Sequence, residues 1–261
     1  MCASEEDTPQ SIVLVTPVWN DSERLTVFGQ ALASALASAG LPIRWVIADD
    51  GSDADEAKRY ATLHAQFEKI YPRVELLRFG VRSRKGGAVY DAWDHFRAAD
   101  FYGFVDADGA VSPKAILQLI ELAMQGDDDR AVIGTRPFSG SMEVHRSWLR
   151  KWLFRVFRML VRRLVGVRFE DTQCGAKVIP GWAYRAVTDK LAERGFIFDV
   201  ELLVALQQTG VEIVEEPIAW REVSGSRIRL SSDSIEMIRG LLRIRRRLRR
   251  GWFSNVDQGA R

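Results

Sequence analysis

Along the first half of the chain, short apolar runs rich in Val and Ile alternate with longer segments in which apolar residues return every three or four positions. The run 11–19, SIVLVTPVW, suits a strand, and 20–40, with its polar start, helical apolar spacing and terminal Gly40, suits a capped helix. The alternation returns three times: strand 43–49 with helix 53–71, strand 74–79 with helix 86–99, and strand 101–107 with helix 112–125. In the last of these Ser112 is placed to N-cap and Pro113 to open the first turn. Strands alternating with helices predict an α/β fold with a doubly wound, mostly parallel, Rossmann-like sheet, whose ligands gather at the carboxyl ends of the strands. Asp49, Asp50, Asp106 and Asp108 all fall at such ends, so they should share one crevice.

The second half is less regular. Residues 131–136 predict another strand, 145–166 a long amphipathic helix, and 181–193 and 198–210 two shorter helices. Residues 211–220 alternate like an edge strand, since Pro217 lacks the amide that a central strand needs. A basic helix over 231–253 closes the chain. The expected organisation is a disordered lead over 1–10, one globular domain over 11–230 and a basic C-terminal helix over 231–261.

With 261 residues, 47% of them hydrophobic, the chain is long enough for one sizeable core. Its net charge of +2 conceals a strong segregation. Residues 1–60 carry ten acids against four bases, whereas 145–169 hold eight Lys or Arg and 237–256 hold seven Arg, both without an acid. Basic blocks of this kind mark a solvated face or a polyanionic partner. In the long helix, Lys151, Arg155, Arg158 and Arg162 recur on one side while Trp and Phe lie on another, a pattern that fits either packing on the domain or an anionic membrane interface. Two cysteines are too few for a disulfide framework and fit a reducing compartment. No apolar run reaches the roughly 18 residues of a membrane span, so the expected location is cytoplasmic and peripheral to the membrane.

Three segments carry candidate chemistry. In FVDADG, Asp106 and Asp108 are two carboxylates spaced i, i+2, whose repulsion a hard divalent cation, Mg2+ or Mn2+, would relieve. In IADDGSD, Asp49, Asp50 and Ser52 sit where they could accept from a nucleobase or a ribose. In RSRKGGA, Arg84 and Lys85 precede Gly86 and Gly87 at a helix start, a place suited to phosphate. Each segment alone also fits an ordinary turn or cap. His64 and His95 lack metal-ligand spacing, His145 has no assigned role, and Cys174 reads as a small packed residue.

Taken in order, VTPVWNDSERL, DDGS, RKGGA and DAD resemble the family-2 glycosyltransferases, which implies the GT-A fold and a domain of that kind over 11–230. GTR, HRSW, DTQCGAK, FDVE and GSRIRL follow the order of the branch similar to dolichyl-phosphate glucosyltransferases and bacterial polyprenyl-phosphate relatives. Trp19, Asp21 and Ala176 depart from that pattern, where Tyr, Glu and Phe are usual. The resemblance implies inverting, metal-dependent transfer of a sugar, with UDP-glucose favoured over GDP-mannose, to a polyprenyl phosphate. Thr16, Pro17, Asn20, Asp49, Asp50 and Ser52 would then hold the nucleoside, and Lys85 and Gly86 the diphosphate. Asp106 and Asp108, with Gln173, would bind the metal; Arg136 and Arg146 would position the acceptor phosphate; Asp171, Gln173, Asp199 and Glu201 would complete the site. A phosphate acceptor needs no strong base, being anionic already with a second pKa of about 6. Two alternatives remain: a hydroxyl acceptor with Asp199 as base, and a non-catalytic basic module for nucleic acid. The absence of nucleic-acid motifs and the acids at the strand ends argue against the latter.

Overall fold

In this computed structural model, residues 10–125, 130–136, 148–221 and 232–253 are described, those of 148–153, 232 and 233 by backbone alone. Seven strands among these residues form one sheet: β1 Ile12–Val18, β2 Ile43–Asp49, β3 Val74–Arg78, β4 Phe101–Val105, β5 Ala131–Thr135, β6 Ala176–Pro180 and β7 Ile213–Pro217. Their order is β3-β2-β1-β4-β6-β5-β7, with every neighbouring pair parallel except those made by β6, which runs antiparallel to both β4 and β5. The predicted doubly wound sheet is present, and β7, with Pro217, lies at an edge as the alternation required. β6 is the strand that the pattern does not announce. Its five residues are all buried, so no alternation marks it, and Lys177 interrupts the apolar run.

Among the described residues, eight α-helices cover the sheet: α1 Ser22–Ala39, α2 Ala54–Glu68, α3 Arg84–His95, α4 Pro113–Ala123, α5 Trp148–Val165, α6 Gly181–Arg185, α7 Phe198–Leu206 and α8 Ser232–Arg249. The caps are those that the sequence offers. Asp53 accepts the amides of Asp55 and Glu56, Ser112 accepts that of Ala115, and Gly40 takes the left-handed conformation that ends α1. The helix expected over 181–193 stops early as α6 and a 3-10 turn, Thr188–Lys190. α3 begins two residues ahead of its glycines, with Arg84 itself at φ 66.

The core divides at the sheet. Ile12, Leu14, Trp45 and Ile47 meet α1, α2 and α4 on one face, while Val13, Val15, Val46 and Phe104 meet α3, α6 and α7 on the other. α5 and α8 pack together against this second face through Val161, Leu241 and Ile244. Among the described residues, no helix is long and apolar enough to cross a membrane.

Candidate active site

The sheet order makes the site. β2, β1 and β4 run parallel, so the residues that follow them emerge at one end: Asp49–Asp50, Trp19–Asn20 and Asp106–Asp108. β6 runs the other way, so its beginning, not its end, arrives there. Ala176 pairs with Val105, which brings 171–175 against Asp106, and the Asp106 amide donates to the Gly175 carbonyl at 2.9 Å. A Cβ on Gly175 would collide with the Asp106 carboxylate, so only glycine permits this approach.

At the acidic centre, Lys85 Nζ lies 2.7 Å from Asp106 Oδ1 and 2.9 Å from Oδ2. Burial alone would lower the Lys85 pKa, but Asp106, Asp199 and Asp108 outweigh it and hold the ammonium above its ordinary value. Asp108 Oδ1 accepts the Ala110 amide at 2.9 Å. Burial and the neighbouring Asp106 raise the Asp108 pKa against that amide, Lys85 and Arg24. Gly86 fits because a Cβ there would strike Phe198; the start of α3 is pressed directly on the start of α7.

On the β1–β2 side, Asp49 accepts the Ser52 amide at 3.0 Å and faces Arg78 Nε at 3.3 Å. Asp50 takes the Ser83 amide at 2.6 Å, and burial raises its pKa despite that bond. The Arg82 guanidinium lies 3.8 Å from Asp50 and stacks 3.3 Å over the Trp19 ring. Asn20, at φ 48, donates its amide to Ser52 Oγ and accepts the Asp53 amide, tying the two loops together, with the half-buried Pro17 two residues inside β1 from Trp19. Thr16 corrects the expectation that it lines this pocket. It is fully buried, and its hydroxyl accepts the Trp45 indole N–H at 3.0 Å within the core.

On the β5–β6 side, Arg136 clasps Asp171 bidentately, with Nη2 2.7 Å from Oδ1. Burial would raise the Asp171 pKa, yet Arg136 holds it below the usual value; the same pairing raises that of Arg136. Gln173 turns its side-chain amide to the Phe196 carbonyl at 3.3 Å. Asp199 is nearly fully buried and bound to Lys177 at 2.6 Å. Glu201 does not join the centre, contrary to the expectation. Two positions on from Asp199 in a helix, it points away from it, and it accepts the amides of Ala192 and Glu193 and faces Arg247 of α8 at 2.8 Å. Arg146 lies outside the described residues. Lys177 was missed as a functional candidate, although its place in DTQCGAK singled out the segment. Among the described residues, no group of three or more His, Cys, Asp or Glu is arranged to hold a metal. The donors at the centre are the two carboxylates, Asp106 and Asp108.

A mostly parallel sheet with aspartates gathered at the β1, β2 and β4 ends and one reversed strand, β6, beside them is the arrangement of the GT-A class of glycosyltransferases. Residues 13–186 match the family described as Glycosyl transferase family 2, and the chain belongs to it. A dolichyl-phosphate beta-glucosyltransferase of Saccharomyces cerevisiae is 32% identical over 92% of this chain and 76% of its own length. One from Drosophila melanogaster is 29% identical over 92% and 76%. Among solved structures, glucosyl-3-phosphoglycerate synthase of Mycobacterium tuberculosis with Mn2+ and UDP-glucose superposes with a TM-score of 0.59, at 14% identity, over 90% of this chain and 79% of its own. A mannosyltransferase of Pyrobaculum calidifontis with GDP-mannose and Mn2+ gives 0.55, at 14% identity, over 97% and 74%.

Proposed function

We propose that this glycosyltransferase moves glucose from UDP-glucose to a polyprenyl phosphate, dolichyl or undecaprenyl, with inversion at the anomeric carbon. The carrying observation is the gathering of Asp106 and Asp108 with Lys85 at the end of β4. The names of the two eukaryotic relatives support glucose and a dolichyl phosphate acceptor; GDP-mannose is the second donor to test.

Asp106 and Asp108 fit a divalent cation, Mg2+ or Mn2+. They offer hard oxygen ligands, and burial together with the neighbouring Asp106 charge disfavours a second free carboxylate at Asp108, a cost that a cation would relieve. Two side chains leave coordination positions for a substrate diphosphate. Bound there, the ion would offset the charge that develops on the leaving nucleoside diphosphate. Lys85 adds a fixed positive charge on the same side. Asn20, Ser52, Asp49 and Asp50, fastened by the loop bonds above, form a preordered edge for ribose and base. Asp171 and Gln173 frame the sugar, and Arg136, held by Asp171, meets the acceptor phosphate. The phosphate acceptor attacks as an anion, opposite the departing diphosphate, and an α-linked donor yields a β-linked product. Asp199 is engaged by Lys177, which counts against its serving as the base that a hydroxyl acceptor would need.

α5 and α8 give the acceptor a membrane approach. On the outer side of α8, Ile235, Ile238 and Leu242 are exposed beside Arg239, Arg246 and Arg249, and Met159 and Arg155 are exposed on α5. Apolar side chains flanked by arginines suit an anionic interface, each cation adding about 1 kcal/mol near the surface. The test is a panel of UDP-glucose and GDP-mannose against polyprenyl phosphate and hydroxyl acceptors. Glycolipid from UDP-glucose and the lipid phosphate is expected; products on hydroxyl acceptors alone would refute the reading.

A further inference from the structure

Lys177 stands in the middle of the sheet, fully buried, between Phe104 of β4 and Ile133 of β5. Its ammonium donates to Asp199 Oδ1 at 2.6 Å and to the Cys174 carbonyl at 2.9 Å, and lies 5.3 Å from the centroid of the Phe104 ring. Stability is a weak reason for such a pair, because apolar replacements of similar volume are often neutral or better once desolvation is counted.

The two bonds lead to the two halves of the acidic centre. Through Cys174, Lys177 fixes the segment whose next residue, Gly175, accepts the Asp106 amide and makes room for its carboxylate. Through Asp199, it fixes the first turn of α7, where Phe198 presses on Gly86 beside Lys85. The Lys85 ammonium sits 5.2 Å from the same Phe104 ring, so a single aromatic side chain lies within reach of both lysines. We propose that the buried Lys177–Asp199 pair is a positioning device that sets the placement of Asp106 relative to Lys85, with Asp199 as a structural counter-charge and not the base. Its catalytic consequence rests on the donor-site reading above; its structural consequence does not.

The test uses Lys177→Met/Asp199→Leu, which removes both charges together, and the single variants Lys177→Met and Asp199→Asn. Amide exchange is read at 104–108 and 173–176 against 12–15, nucleotide-diphosphate binding in Mn2+ by calorimetry, and kcat and KM separately. The double variant is expected to fold, to exchange faster at 104–108 and 173–176 but not at 12–15, and to lose about 10–100-fold in affinity, the usual cost of removing an outer partner. Asp199→Asn, which keeps a hydrogen-bond acceptor for Lys177 but removes its counter-charge, is expected to lower stability, speed exchange at 104–108 and 173–176 and weaken binding as Lys177→Met does. Unchanged exchange in Lys177→Met and in the double variant overturns the proposal. So does Asp199→Asn abolishing kcat with binding intact while Lys177→Met stays active, since Asp199 would then be the base. A wild-type chain that binds no nucleotide diphosphate refutes the donor-site reading, and the exchange data still decide the positioning.

Discussion

Asp106 and Asp108 are separated by one residue and differ in what surrounds them. Asp106 is matched by Lys85, whereas Asp108 takes a backbone amide, and burial, with repulsion from Asp106 added, raises its pKa. Asp108→Asn should therefore lower kcat/KM by about 100-fold or more while leaving the metal-free Tm unchanged or higher, which activity assays and thermal melts check together. Asp106→Asn should cost stability as well, because it leaves the Lys85 ammonium without its partner. Glu201 makes a different prediction. Burial pushes its carboxyl up to about 7 against Arg247 and two amides, with Glu193 adding repulsion. The folded state then keeps a proton that the unfolded state releases above its ordinary pKa of roughly 4.3, so stability falls as pH rises from about 4.5 to 7. Tm measured across that window should decline in the wild type, by the equivalent of about 1–3 kcal/mol, and the decline should flatten in Glu201→Gln.

Among the elements, α8 shows where a sequence reading stops. Its basic face was legible, and its inner face was not: Arg243 and Arg247 reach the buried Glu193 at 2.7 and 2.6 Å, and Leu241 and Ile244 enter the core. A run of arginines does not say which of them will meet a buried acid from a distant loop. Arg247→Met should leave Glu193 and Glu201 short of a counter-charge and lower stability by about 3 kcal/mol, roughly 6–12 °C in Tm. The alternation of the first four strand–helix units, the caps at Ser112 and Gly40 and the edge position of β7 followed from the residues, because local spacing and turn chemistry specify them. β6 did not, since a strand buried on both faces has no period and its antiparallel insertion is decided by distant partners. The same limit applies to the site. Asp106 and Asp108 were readable at a strand end and Lys85 at a helix start, whereas the ion pair of Lys85 with Asp106, the inward turn of Thr16 and the opposed directions of Asp199 and Glu201 needed the register and the helix around them.

For the molecule as a whole, the charge segregation of the sequence becomes two regions: aspartates gathered over the strand ends and a cationic, partly apolar surface on α5 and α8. Not every arginine there is available, since Arg158 and Arg162 are paired with Glu170. The exposed ridge Ile235, Ile238 and Leu242 should matter more than any single cation. Ile235→Glu/Leu242→Glu should release the chain from anionic vesicles in flotation while leaving nucleotide binding intact; vesicle binding unaffected by the pair would remove this surface from the account. The most direct test of the central claim is the rate of glycolipid formation from UDP-glucose and a polyprenyl phosphate in Mn2+, in EDTA, and with Asp106→Asn. The account predicts turnover in Mn2+, its loss in EDTA with recovery on adding back the ion, and near-complete loss in the variant. Undiminished turnover in EDTA, or in Asp106→Asn, would contradict it.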